Sequence, residues 1–219
     1  MQSFGCGFLY KSIFRESARA AVINLKEEVL MKKDLGVQQA VSPMPVLMVA
    51  AYDENEKVNV MNVAWGQICG ADRIYLCIGK GKKTLSNILV SKAFTVALAD
   101  RPHMDVADFY GIASGNKMDD KFERTGYTAV RSDKVHAPII EEFPVVMECE
   151  FLEELDTEYI HGIVGRIVNV KAEESVLNDE GKVDVLKLNV LMFDNYCHGY
   201  YSVGEKEGQA WDAGMSLMK

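Results

Sequence analysis

The sequence lacks any apolar run long enough for a membrane span. Its longest stretches, Val46 to Ala51 and Tyr75 to Ile78, fall far short of the roughly 18 residues a span requires. It also lacks a cationic surplus, since 24 lysines and arginines face 32 acidic residues for a formal net charge of -8. That balance opposes nonspecific attraction to nucleic-acid phosphates and anionic lipid surfaces. No Cys-x-x-Cys pair occurs among Cys6, Cys69, Cys77, Cys149 and Cys197. An odd, scattered set of thiols points to reduced cysteines in a cytoplasmic protein rather than to disulfides or structural zinc. His103, His136, His161 and His198 likewise show no paired metal-ligand spacing.

Signatures of the commonest nucleotide and hydrolase sites are missing too. A phosphate-binding P-loop would need a glycine at position 76 and a hydroxyl directly after Gly81-Lys82, where the chain has Leu76 and Lys83. A dinucleotide fingerprint starting at Gly79-x-Gly81 fails at Thr84, and no βαβ setting surrounds it. Ser114, in Gly111-Ile112-Ala113-Ser114-Gly115, misses the spacing of a nucleophile elbow. No catalytic acid-base pair stands out.

What is present is an ordinary globular composition, 48% apolar and 26% charged over 219 residues, enough for one domain with its own core. No internal repeat, low-complexity tract or linker divides it. Residues 1–34 are expected to form an N-terminal extension and residues 35–219 the domain. Two readings of the extension stay open. Ser17 to Leu30 can form an amphipathic helix, or translation starts at Met31, with Lys26-Glu27-Glu28 the trace of a purine-rich ribosome-binding site.

From Pro43 the pattern predicts short strands separated by turns. Val46 to Tyr52 and Val58 to Val63, joined by polar Asp53 to Lys57, form an antiparallel hairpin. Arg73 to Ile78 follows as a third strand. Thr84 to Ser91, with Leu85, Ile88 and Leu89 at helical spacing, forms a helix, and Phe94 to Ala99 returns to strand. Pro102 to Tyr110 suits a helix opened by proline. Ser114 to Tyr127 reads as a polar surface excursion. Met147, Cys149 and Phe151 alternate with Glu148 and Glu150, which predicts one buried and one wet face. Tyr159 to Lys171 is a second long strand, with Gly162 and Gly165 marking a bulge or close backbone approach. Val183 to Met192 looks β-like. Phe193, Tyr196, Tyr200, Tyr201 and Trp211 form an aromatic tail expected to pack on something. Many strands with few helices favour an antiparallel barrel.

Two segments carry the chemistry. Gly79-Lys80-Gly81-Lys82-Lys83-Thr84-Leu85-Ser86-Asn87 sets three lysines, two glycines and three polar side chains where a helix begins. Free helix N–H groups, the positive dipole end and hydroxyl or amide donors suit a phosphate monoester. The bland alternative is a solvated basic turn with Thr84 as N-cap. Asn59-Val60-Met61-Asn62-Val63-Ala64-Trp65-Gly66-Gln67 could present donors and acceptors to a flat heterocycle, or be an edge strand with Trp65 in the core. Cys69, between Ile68 and Gly70, could be a redox thiol but reads better as a buried, inert one.

These residues resemble the flavin reductase-like family, in particular its flavoredoxin branch. The resemblance rests on Asn62-Val63-Ala64-Trp65-Gly66, Lys80-x-x-Lys83-Thr84-x-x-Asn87, Phe94-Thr95-Val96, Asp120-Lys121-Phe122-Glu123, Ala137-Pro138 and Tyr200-Tyr201-Ser202-Val203-Gly204-Glu205, in that order. It implies a mainly β fold, an antiparallel split β-barrel of the FMN-binding type with a few short peripheral helices, usually a homodimer with flavin near the subunit interface. It implies that Asn62, Val63, Ala64 and Trp65 face the isoalloxazine and ribityl chain. Lys80, Lys82, Lys83, Thr84, Ser86 and Asn87 would hold the phosphate, and Lys121 and Phe122 would lie near the flavin, in the same or the partner's site. The implied activity is FMN-dependent oxidoreduction, with either NAD(P)H as a transient reductant or a redox protein as electron partner. The alternative is a noncatalytic barrel that binds a phosphorylated ligand as a sensor. Two departures stand out: Lys80 occupies a position where many relatives have arginine, and Ala71-Asp72-Arg73 replaces a proline pair.

Overall fold

A computed structural model describes residues 32–218; both readings of the segment before Met31 lie outside the described residues. Residues 32–39 belong to a separate unit and are exposed, and the unit beginning at Ala40 carries the fold. Among the described residues, no helix is long and apolar enough to cross a membrane.

The short strand β1 (Met44–Pro45) leads into the hairpin of β2 (Leu47–Tyr52) and β3 (Val58–Val63). The Asp53 carboxylate shapes its turn by accepting the Asn55 and Lys57 N–H groups. β4 (Gly66–Gly70) and β5 (Arg73–Leu76) form a second hairpin, whose first strand the sequence pattern did not distinguish. Helix α1 (Lys83–Ser91), β6 (Ala93–Leu98) and helix α2 (Met104–Ile112) follow, the last entered through a short 3-10 turn containing Pro102. A ribbon of β7 (Ala129–Arg131) and β8 (Pro138–Ile140) precedes the two long strands β9 (Val145–Asp156) and β10 (His161–Ala172). Helix α3 (Val185–Leu188), β11 (Leu191–Phe193) and β12 (Tyr200–Ser202) complete the order.

The main sheet is antiparallel with strand order β3-β2-β6-β9-β10-β5-β4, and β1, β11 and β12 make a smaller one. This is the expected mainly β split barrel. β2 is buried along its whole length because both of its faces are covered. Leu47, Val49 and Ala51 join Leu85, Ile88, Phe94 and Ile163 in one core. Val46, Met48 and Ala50 join Ala107, Tyr110 and Ile140 in another. α1 thus seals the first core and α2 the second, which fixes the two helices on either side of the hairpin. Gly165 sits at a register shift in β10, where an added Cβ would come within 2.3 Å of the Phe94 ring; the close approach expected there is real.

Four expectations need correction. Glu148, assigned to the wet face of β9, is fully buried, because the turn after β7 folds over it and Ser132 donates to its carboxylate. The β-like stretch from Val183 contains α3, nucleated when Asp184 accepts the Leu186 and Lys187 N–H groups. Cys69 is exposed rather than buried, since among the described residues the β4 edge has no further strand beside it. In the tail, Tyr200 is tied down by donating to Asp108 at 2.9 Å, but Trp211 is 95% exposed and packs on nothing within the described chain.

Candidate functional site

The lysine-rich turn folds as a helix entrance, and no side chain caps it. Gly81, at φ +77, takes the left-handed conformation that glycine adopts without strain. Lys82 then occupies the N-cap position of α1 with extended backbone and makes no side-chain cap. Thr84 is therefore not the N-cap; it is the second helical residue. No acidic residue lies in the first turn, so the positive end of the helix is offset by neither a hydroxyl nor a carboxylate.

A cleft of about 70 Å³ opens at this entrance. Lys82, Lys83 and Thr84 form one wall, Asn59 on β3 another, and the loop after α2, with Gly115 and Lys121, closes it. The loop is clasped in place. Asn116 Nδ2 donates to the Gly81 carbonyl at 2.7 Å, and a Cβ on Gly115 would stand 2.2 Å from Asn59 Oδ1.

The charges around the cleft are unbalanced. Lys121 is only 4% exposed, its Nζ donates to the Tyr110 carbonyl at 2.9 Å and lies 5.6 Å from the Tyr110 ring. Among the described residues it forms no ion pair with a carboxylate. Burial, and after it the like charge of Lys82, brings its ammonium down to about 8. A buried ammonium without an anionic partner is costly, and an anion in the cleft would supply one. Lys82 makes no ion pair among the described residues either, whereas Lys83 stands 3.4 Å from the Asp53 carboxylate.

The polar donors agree with this polarity. Thr84 and Asn87 are both buried. Asn59 Nδ2 donates to Thr84 Oγ1 at 2.6 Å, and Asn87 Nδ2, three residues further along α1 and outside the cleft lining, is buried with no hydrogen-bond partner among the described residues. Donors in surplus, a bare helix entrance and unpaired ammonium groups are the fit a phosphate group requires.

Not every expected residue joins them. Lys80 is held outward by Asp156, 2.6 Å from Nζ to Oδ1, and that contact keeps the Asp156 carboxyl below its usual value. Ser86 is exposed and turned back toward the Lys82 carbonyl at 3.5 Å. Val63 points into the barrel core, which leaves only its backbone to a ligand. Asn62 Nδ2 donates to the Ala107 carbonyl of α2 at 3.1 Å. Ala64 is half-buried, and Trp65 is exposed instead of lying in the core, its carbonyl accepting the Cys77 N–H at 2.8 Å. Phe122 packs beside the second core while its neighbour Lys121 enters the cleft of its own chain. Gly115 was absent from the expected set, and Asn59, which opens the segment expected to meet a heterocycle, was not expected beside Thr84. Neither has a local signal, because each acts through residues distant in sequence.

Residues 40–199 match the family described as "Flavin reductase like domain". Among solved structures, flavoredoxin of Desulfovibrio vulgaris (Miyazaki F) is 34% identical with a TM-score of 0.80, covering 84% of this chain and 100% of its own. Flavoredoxin from Methanosarcina acetivorans is 26% identical with a TM-score of 0.77, covering 85% of this chain and 100% of its own. An FMN-binding protein from Thermus thermophilus, 21% identical over 82% of this chain and 96% of its own with a TM-score of 0.66, shares the fold.

Proposed function

Because the chain belongs to the flavin reductase-like family, we propose that it is an FMN-binding flavoprotein oxidoreductase with the phosphate of FMN in the cleft at the start of α1. The single observation that carries this reading is Lys121, a buried ammonium lining the cleft at an uncapped helix entrance, with no carboxylate to neutralise it among the described residues. Lys82 and Lys121 offset the phosphate charge, the first-turn N–H groups of α1 and the Thr84 hydroxyl donate to its oxygens, and Asn87 offers its free amide. The Asn62 to Trp65 segment continues from the β3 wall of this cleft and is the proposed seat of the ring edge. When bound, FMN would supply the redox chemistry, hydride or single-electron transfer. The protein's part is to hold, orient and partly cover it.

The electron route has two versions. In one, NAD(P)H is the reductant and free flavin or a monooxygenase the acceptor; in the other, the protein keeps its FMN and exchanges electrons with another redox protein. The flavoredoxins among its relatives support the second. Anaerobic mixing with NADH and NADPH separates them, since inertness to both is expected for the carrier and rapid bleaching for the reductase. A homodimer is also proposed, supported by the exposed Ile68, Ile160, Tyr159 and Trp211 side chains; light scattering that returns the mass of one chain would refute it.

The deciding experiment is a paired titration of flavin-free protein with FMN and with riboflavin, followed by quenching of flavin fluorescence. FMN should bind at least about 100-fold more tightly, because two or more charge-assisted hydrogen bonds contribute roughly 1.5–3 kcal/mol each. Equal affinities would remove the phosphate from the cleft. Failure to bind either flavin would favour the noncatalytic alternative.

A further inference from the structure

We propose that Asn59 is a positioning residue, which acts by fixing the proton of the Thr84 hydroxyl so that it donates into the cleft. This rests on the reading of the cleft as a phosphate subsite and adds to it a residue that touches no ligand.

A threonine hydroxyl has one proton and two lone pairs. The Asn59 amide donates to Thr84 Oγ1 at 2.6 Å and occupies one lone pair. An amide NH2 accepts nothing, so the Thr84 proton cannot return along the same contact. Helical threonines commonly donate to the carbonyl four residues earlier, but Thr84 is only the second residue of α1. It donates to no protein atom among the described residues, although it is 1% exposed and lines the cleft. A buried donor without a protein acceptor is thus left directed at whatever occupies that space.

Asn59 is itself held. It lies on β3 opposite Ala51 of β2, it is buried, and its Oδ1 is pressed against Gly115 so closely that no side chain would fit there. The strand sets the amide's height, the close approach of Gly115 sets the plane it lies in, and the hydroxyl follows the Nδ2 contact. Were the amide turned over, its oxygen would accept the Thr84 proton and the hydroxyl would present lone pairs to an anion, the wrong polarity for phosphate. The observed orientation therefore favours a hydrogen-bond acceptor, such as a phosphate oxygen, over a group that can only donate.

The test is a double-mutant cycle of Asn59→Ala and Thr84→Val, read as the ratio of riboflavin to FMN dissociation constants, with Thr84→Ser as the control that keeps the hydroxyl. Expected are an approximately tenfold loss of the ratio for each single variant, little further loss in the double variant, and near wild-type behaviour for Thr84→Ser. A loss with Thr84→Val but none with Asn59→Ala overturns the positioning role. Additive losses also overturn it, because Asn59 would then touch the phosphate directly. No loss with Thr84→Val overturns it as well, because the hydroxyl then makes no contact with the phosphate, whereas equal FMN and riboflavin affinities in the parent protein would refute the phosphate reading itself. Should Asn59→Ala not fold, Asn59→Ser, too short to reach Thr84, takes its place with the same expectations.

Discussion

Two buried charges in this protein are treated in opposite ways. Glu148 on β9 is fully enclosed and fully answered: Ser132 donates to one carboxylate oxygen, Asn169 to the other, and Lys171 stands 3.7 Å away. Lys121 is nearly as buried but donates only to a backbone carbonyl and has no counter-charge among the described residues. A charge whose partners all come from the fold serves the fold. On the reading proposed above, one left short of a partner beside a cleft is held for a ligand, at a cost in stability that the ligand relieves.

The sharpest way to break this comparison is to remove each charge and measure both stability and binding. Glu148→Ala leaves the Ser132 and Asn169 donors without their acceptor in the interior. Each orphaned group costs about 1–3 kcal/mol, so a loss on the order of 3 kcal/mol is expected in urea unfolding. Ser132 also receives the Lys134 and Val135 N–H groups, so the turn it anchors should loosen with it. The preference for FMN over riboflavin should remain. A stable Glu148→Ala protein that had lost this preference would reverse the roles assigned to the two charges.

Lys121→Met should behave in the opposite manner. Affinity for FMN is expected to fall roughly 10- to 100-fold, the loss of one charge-assisted contact of about 1.5–3 kcal/mol, with riboflavin binding unaffected. The flavin-free protein should be as stable as the parent or more so, because an unpaired buried ammonium has been replaced by an apolar chain of similar length. Destabilisation with unchanged FMN affinity would make Lys121 a structural residue.

The same contrast has a pH signature. In the unfolded chain Lys121 keeps its proton up to its ordinary value near 10.5, and in the folded, flavin-free chain only up to about 8. Between those values the unfolded state binds more protons, so stability of the flavin-free protein should rise with pH across that window. FMN binding should run the other way and weaken as pH passes above 8, because phosphate prefers the protonated lysine. Thermal midpoints and flavin titrations at pH 7, 8, 9 and 10 check both slopes, and both should flatten in Lys121→Met. Parallel slopes in parent and variant would assign the effect to other groups.

The contrast also marks how far the sequence could be read. The β2–β3 hairpin, α1 and the long strands were legible because their cues are local: a polar turn between apolar runs, helical spacing at Leu85, Ile88 and Leu89, alternation in β9. The basic turn was legible because three lysines in an acidic chain stand out. The burial of neither charge was, although the family resemblance placed Lys121 near the flavin. Glu148 follows the alternation faithfully and is enclosed by a turn that comes from elsewhere in the chain. Lys121 lies in a polar stretch whose composition signals solvent, and only the return of that stretch over the α1 entrance buries it. Asn59 meets Thr84 25 residues away in the chain, a meeting set by sheet and helix packing that no spacing announces. The exposed Trp211 shows the reverse error, an apolar side chain for which the described residues provide no cover.

The smallest expected effect separates two lysines that look alike in sequence. Lys80 and Lys82 flank Gly81 on equal terms, yet Lys80 is tied outward to Asp156 and Lys82 borders the cleft. An exposed pair of this kind contributes about 0–1 kcal/mol, so Lys80→Ala should change FMN affinity less than about twofold. Lys82→Ala should weaken it several-fold, and the loss should shrink as salt rises from 50 to 500 mM, since a partly solvated charge is screened. Lys82→Ala should also relieve the repulsion it exerts on Lys121, moving the pH at which FMN affinity falls above about 8. If Lys80→Ala proved the more damaging of the two, the phosphate would have to lie on the Asp156 side of the turn, and the buried ammonium would lose the ligand proposed for it.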